Sequence, residues 1–310
     1  MRWIVGGALI ASLIAGPASA QEVRPQPEVE LRYQSLTAAR VNPLGLVSMF
    51  DLTLRARLHE HESAILTQNY AGIGMTGGLS PAWGRVGVLA ELTPLTILRL
   101  YASYEIVGYF STFNLFASFP SPFSDFSDTG IKEQSNQAAT ASYDTYGGQL
   151  TLGATVQVKL GPIAARNLFR AGHVSFRMRD GDRVFYDQLS DMLLPNDGWY
   201  LINDVDVLGL FDFGLAVGAR WTYSHSFLEA QHYAPLDDPA VVPETDIHRL
   251  GLLAAWTIED NGGARFDRPT IILIAQWHLV HRYRTGADVH VGLPYIALAF
   301  QFTGDLLSER

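Results

Sequence analysis

Between Leu98 and Phe110 the chain alternates without a break. Leu98, Leu100, Ala102, Tyr104, Ile106, Gly108 and Phe110 fall on one face, and Arg99, Tyr101, Ser103, Glu105, Val107 and Tyr109 on the other. Successive side chains of a strand point to opposite faces, so this stretch reads as a long strand with one greasy and one wetter side. Phe50 to Leu58 repeats the pattern: Phe50, Leu52, Leu54, Ala56 and Leu58 lie against Asp51, Thr53, Arg55 and Arg57. So do Tyr146 to Leu160 and Phe213 to Phe227.

A soluble sandwich also alternates. Three features favour a transmembrane barrel instead. The strands run to a dozen residues or more, whereas soluble strands centre on about five or six. The apolar face stays apolar throughout and carries aromatics such as Tyr104, Phe110, Trp221 and Tyr223 near its ends. The opposite face carries Arg, Glu, Gln, Thr and Gly, which suits a wet lumen and not a sandwich core. In lipid such strands satisfy their backbone only if the sheet closes. No later apolar run reaches the roughly 20 residues a spanning helix needs; the longest is near 269–280.

The first twenty residues read as an export signal. Arg2 supplies the positive start, Trp3 to Ala15 the apolar core, and Ala18-Ser19-Ala20 the small-residue exit, with cleavage expected after Ala20. Residues 21–28 read as a periplasmic linker, 29–303 as the barrel and 304–310 as a C-terminal tail. There is no Cys among the 310 residues, which removes disulfides, thiolate metal sites and cysteine nucleophiles. A formal charge of -9 argues against nucleic acid as a partner.

The expected fold is all-β: an up-and-down antiparallel barrel with strands near 29–41, 45–59, 69–80, 82–92, 95–111, 142–160, 162–179, 197–209, 212–227, 246–259, 267–284 and 287–303. That makes about twelve, an even number. With both termini periplasmic, the long connections at about 112–141, 180–196 and 228–245 all fall outside, and a medium-length one at about 60–68 falls inside. The pattern resembles bacterial outer-membrane β-barrels as a class. That resemblance implies residence in the outer membrane, contact with its lipid and lipopolysaccharide, and delivery by the barrel assembly machinery. Such barrels usually end on an aromatic residue; here Phe300 and Phe302 precede TGDLLSER, so the signal is displaced.

The inward faces carry Arg55, Arg57, Arg99, Arg177, Arg179, Arg220, Arg249, Arg282 and Arg284, opposed by Asp51, Glu105, Asp204 and Asp206. In lumen chemistry this resembles small arginine-lined porins, which implies passage of anionic solutes. Arg55, Arg57, Arg99, Arg220, Asp51 and Glu105 are then the expected selectivity residues of a passive channel. The alternative is a non-conducting barrel, its charges satisfying one another, that acts through acidic, Phe-rich outer loops. Phe113, Phe116, Phe119 and Phe123 are the candidates for a plug, with a place on the outer leaflet as the alternative for this Phe-rich loop. The loop acids, among them Asp125, Asp182 and Asp237, form no cation-ligand pattern. No cofactor or metal is expected.

A remote alternative is an outer-membrane acyl hydrolase. His173 and Ser175 sit two apart, as in some barrel lipases, and a His can activate an adjacent hydroxyl. Shared parity with Arg177 and Arg179 places the pair in the lumen, whereas the barrel lipases turn theirs toward lipid. The Asn that follows the serine in one such family is replaced by Phe176. The chain is therefore expected not to be an enzyme.

Overall fold

A computed structural model describes residues 27–60, 63, 65–111, 116–137, 140–260 and 264–308. The expected signal peptide, most of the linker and the final two residues lie outside them. Twelve long strands form the barrel: β1 (Val29–Val41), β2 (Gly45–Arg57), β3 (Tyr70–Leu79), β4 (Trp83–Leu95), β5 (Leu98–Tyr109), β7 (Thr145–Leu160), β8 (Ile163–Phe176), β11 (Gly198–Leu210), β12 (Leu215–Ser226), β13 (Ile247–Thr257), β14 (Asp267–Val280) and β15 (Tyr295–Asp305). Each pairs antiparallel with its neighbours in chain order, and β1 pairs with β15 to close the sheet, Ala38 opposite Ala299. Closure leaves no open edge, which is what a sheet in hydrocarbon requires.

The outer face is apolar and exposed. Ile73, Val88, Ile106 and Leu252 are 66%, 60%, 59% and 58% accessible, each on a different strand. Exposure of this kind on all sides of a barrel marks a wall built for hydrocarbon. Asp51, Arg55, Arg99, Glu105, Gln149, Thr151 and Arg220 point inward and are buried. Tyr200 lies over Gly172 of β8; a Cβ there would meet the ring at 2.3 Å, so any larger residue requires the ring to move.

Turn chemistry separates the two ends. The β7–β8 loop is two residues long, and Gly161 takes φ +59, the left-handed region. It shares its end with connections 58–69, 96–97, 211–214 and 258–266, the start of β1 and the close of β15. The other end carries 110–144, 177–197 and 227–246, together with 281–294, which is longer than the sequence indicates. β14 stops at Val280, not 284, and β15 begins at Tyr295, not 287. β15 runs on to Asp305, two residues into the expected tail.

Three short strands lie within the long connections: β6 (Ala117–Phe119), β9 (Val184–Asp187) and β10 (Met192–Pro195). They form a second sheet in the order β10-β9-β6, and every one of their residues is buried. One helix, α1 (Asp128–Ser135), sits beside them, its first turn capped by the Ser127 hydroxyl accepting from Gly130 N.

Candidate functional site

The lumen was expected to be the site, and its chemistry follows from strand register. On β11, Asp206 lies opposite Arg166 of β8 and Arg220 of β12. Arg166 Nε donates to it at 3.0 Å, and Arg220 donates through Nε at 2.6 Å and Nη2 at 2.8 Å. One turn of the pleat outward, Asp204 accepts from Arg170 Nη2 and Thr222 Oγ1, both at 2.6 Å. Across the barrel, Glu91 of β4 accepts from Arg55 Nε at 2.5 Å and Arg99 Nε at 2.8 Å, while Arg55 also reaches Glu30 at 3.2 Å. Glu105 faces Arg85 at 3.9 Å and Thr76 at 3.5 Å. Asp51 lies between Gln34 and Thr76 in register. The contacts of Arg55, Arg99, Arg166, Arg170 and Arg220 are charge-assisted and buried, so each of these guanidiniums is held where its carboxylate is.

Of the expected selectivity residues, Arg55, Arg99 and Arg220 are thus engaged with acids. Arg57 stands apart at the rim of β2, facing Glu60 at 3.8 Å. Arg85, Arg166 and Arg170 belong to the same network and were not singled out from the sequence.

The outer mouth is filled by the second sheet. Phe116 packs on Tyr109 at 4.8 Å between ring centroids, and Phe185 on Phe176 at 5.1 Å. Phe119 is buried in β6; Phe123 is half-buried against Tyr233 at 5.9 Å. Phe113 lies outside the described residues. The Ser226 hydroxyl of β12 donates to Leu193 O at 2.6 Å, joining the plug to the wall.

One carboxylate gathers several of the contacts that hold the plug tip, residues 188–191. Asp191 is fully buried, at φ +60. Arg284 grips it at 2.6 Å and 2.9 Å, and Tyr186 donates its hydroxyl at 2.7 Å. His281 Nε2 donates to Asp191 O at 3.1 Å. The same guanidinium reaches Asn42 of the β1–β2 turn at 2.9 Å and Asp128 of α1 at 3.1 Å. Burial pushes the Asp191 carboxyl up, but His281 and Arg284 outweigh it and hold the group well below the usual carboxylate range. Burial lowers His281.

Several expectations about facing are corrected. Arg282 and Arg284 are not strand residues; Arg282 donates to Pro122 O and Phe123 O in the outer loop. Arg177 and Arg179 lie beyond the end of β8, over the Tyr146 and Tyr143 rings. His173 and Ser175 face outward, not into the lumen. The inward residues of β8 are Ala164, Arg166, Leu168, Arg170, Gly172, Val174 and Phe176. His173 Nε2 is 3.7 Å from Asp197 Oδ1, its ring lies edge-on to Trp199, and no hydrogen bond joins it to Ser175.

No protein-family profile matches the chain, and no curated protein matches it in sequence. Among solved structures it is similar to the translocator domain of autotransporter NalP from Neisseria meningitidis, over 89% of this chain and 87% of that one, at 10% identity and a TM-score of 0.42. OccAB1 of Acinetobacter baumannii aligns over 93% and 100%, at 8% identity and 0.38. LpxR from Salmonella typhimurium aligns over 88% and 99%, also at 8% and 0.38. Likeness this remote carries no inference about a solute, a cargo or a reaction.

Proposed function

We propose that the protein is a barrel of the bacterial outer membrane whose lumen does not conduct, and that it acts through the connections at its plugged end. The observation that carries this reading is the pairing of Arg55 and Arg99 with Glu91, and of Arg166 and Arg220 with Asp206, all sealed from water. A selectivity arginine must offer its charge to a passing anion; these offer theirs to fixed carboxylates. The exposed apolar belt supports contact with membrane lipid, and the sidedness of the long connections supports their display outside, beside lipopolysaccharide. Export by a cleaved signal and assembly by the barrel machinery belong to the same reading.

The passive channel for small anionic solutes is the competing reading. Planar-bilayer recording of refolded, heat-modifiable protein separates the two. Silence is the expected result, and stepwise conductance with anion-favouring reversal potentials overturns it. The remote hydrolase reading gains a lipid-facing position for His173 and Ser175 but lacks the hydroxyl-to-imidazole bond a nucleophile needs. Ester hydrolysis abolished by Ser175→Ala would establish it.

A further inference from the structure

The lumen is divided into unlike halves. Its charged pairs lie on β2, β4, β5, β8, β11 and β12, joined on β1 by Glu30 at the inner end, whereas the inward side chains of β13, β14, β15 and the rest of β1 include Leu253, Ala255, Ile272, Ile274, Ala297, Ala299, Leu36 and Ala38, all buried. An apolar wall inside a barrel does nothing for an aqueous pore. Beneath the plug tip this wall encloses a cavity of about 20 Å³, lined by Leu36, Ala38, Val47, Ile274 and Ala297 and roofed by Leu189 of the tip. Arg40 and Tyr295 complete the lining.

One buried guanidinium, Arg40, lines the cavity, and a second, Arg249, lies over the ring of the lining residue Tyr295; neither has a carboxylate within ion-pair distance among the described residues. Arg40 donates to the main chain of the plug tip, to Leu189 O at 2.6 Å and to Gln188 O. Arg249 is 2% accessible and lies 4.5 Å over the Tyr295 ring. It makes no hydrogen bond to any described residue, and its Nε is sealed from water without an acceptor. Its cross-strand neighbour His278 offers it no acceptor: the His278 Nε2 lies 3.5 Å from Asp191 Oδ2. The nearby acids are committed elsewhere, Asp204 to Arg170 and Asp191 to Arg284. A guanidinium carries five donors and cannot shed its charge, so one buried without an acceptor calls for an anion.

We propose that this is a binding site for a short-chain alkyl carboxylate, its head group on Arg249 beside Tyr295 and its hydrocarbon in the apolar cavity. The cavity as it stands has room for about one water. Leu189 occupies the remainder, on a tip held by Arg40 through two main-chain carbonyls. An alkyl chain replaces Leu189 like for like, and the lifted tip frees Arg40 to join Arg249 at the carboxylate. The ligand enters from the plugged mouth and stops above the Glu91 and Asp206 pairs, so binding goes beyond the closed-barrel reading without requiring a pore.

The test is equilibrium dialysis of radiolabelled hexanoate against the folded full chain in phospholipid nanodiscs, with empty discs as blank and heat-modifiable migration as the check on folding. Saturable binding is expected, weakened about tenfold or more by Arg249→Met. Ala297→Phe, which fills the cavity, is expected to weaken it independently, so the proposal stays testable if Arg249→Met does not fold. Hexanol and inorganic phosphate are expected to compete poorly, each lacking one half of the ligand. No saturable binding overturns the proposal. So does equal competition by hexanol or phosphate, or binding that survives Ala297→Phe.

Discussion

Arg284 and Asp191 meet through two contacts, Nε to Oδ2 at 2.6 Å and Nη2 to Oδ1 at 2.9 Å, inside a mouth that neither residue's own strand builds. Asp191 belongs to the plug tip and Arg284 to the β14–β15 connection, so the pair fastens one loop to another across the barrel opening. Removing one partner of a buried pair strands the other charge, at a cost of about 3–5 kcal/mol. Asp191→Asn is therefore expected to loosen residues 184–195, read as faster hydrogen exchange there. The barrel strands keep their exchange protection, since none of their pairing depends on this contact.

The same latch gives the plug a pH dependence of definite sign. Burial lowers His281, so the opened tip takes up a proton there before the closed one does. Closure weakens as the pH falls through the free imidazole value of about 6.5. Asp191 acts in the same direction at lower pH, because its carboxyl is held below its ordinary range. The stability it supplies is present above about pH 3.9 and is lost as the pH drops further. Proteolysis within 184–195 is expected to quicken between pH 7.5 and 5 and again below 4. A flat profile would show that the tip is held by packing and by the Arg40 contacts, without the Asp191 latch.

In the lower lumen, Asp206→Asn leaves Arg166 and Arg220 without their shared partner. A loss of about 3–5 kcal/mol is expected, seen as a lowered urea midpoint for barrel unfolding in a bilayer. Replacing all three residues together, Arg166→Met, Asp206→Leu and Arg220→Met, should recover most of it. A triple variant as weak as the single one would mean that the network holds the strands in register beyond its charge balance.

Facing on β5 is checked by cysteine labelling. Leu100 is half open to the lipid side, whereas Arg99 is buried against Glu91. A water-soluble maleimide should leave Leu100→Cys unlabelled in the bilayer, and a lipid-phase reagent should find it. Ile106→Arg on the same face is expected to cost about 2–4 kcal/mol if it lies near the midplane.

The strands, their number and the inward facing of β2, β5, β7 and β12 were legible because in each the Arg, Asp, Glu and Gln side chains fall on one face. β8 was not. Its inner face carries Leu168, Val174 and Phe176 as well as Arg166 and Arg170, since its outer third packs against the plug and not against water. Its outer face carries Asn167, His173 and Ser175. Hydrophobic patterning therefore pointed the wrong way there, and hid two arginines of the network while turning His173 inward. β14 was opaque for a related reason: with Ile272 and Ile274 inside and Ile271 and Leu273 outside, both faces are greasy. The plug strands, three or four residues each, were too short for any periodicity to show.

Register also bears on how such a chain enters a bilayer. Asp206 finds Arg166 on the preceding strand and Arg220 on the following one, and Glu91 finds Arg99 on the strand it turns into. A hairpin that crosses hydrocarbon as a unit thus carries much of its own neutralisation and need not wait for the closing β1–β15 seam. Arg249 is one exception, flanked in register by Thr222 and His278. It has no carboxylate to travel with, so the β13 hairpin is a step of insertion at which an unmatched cation has to be carried across.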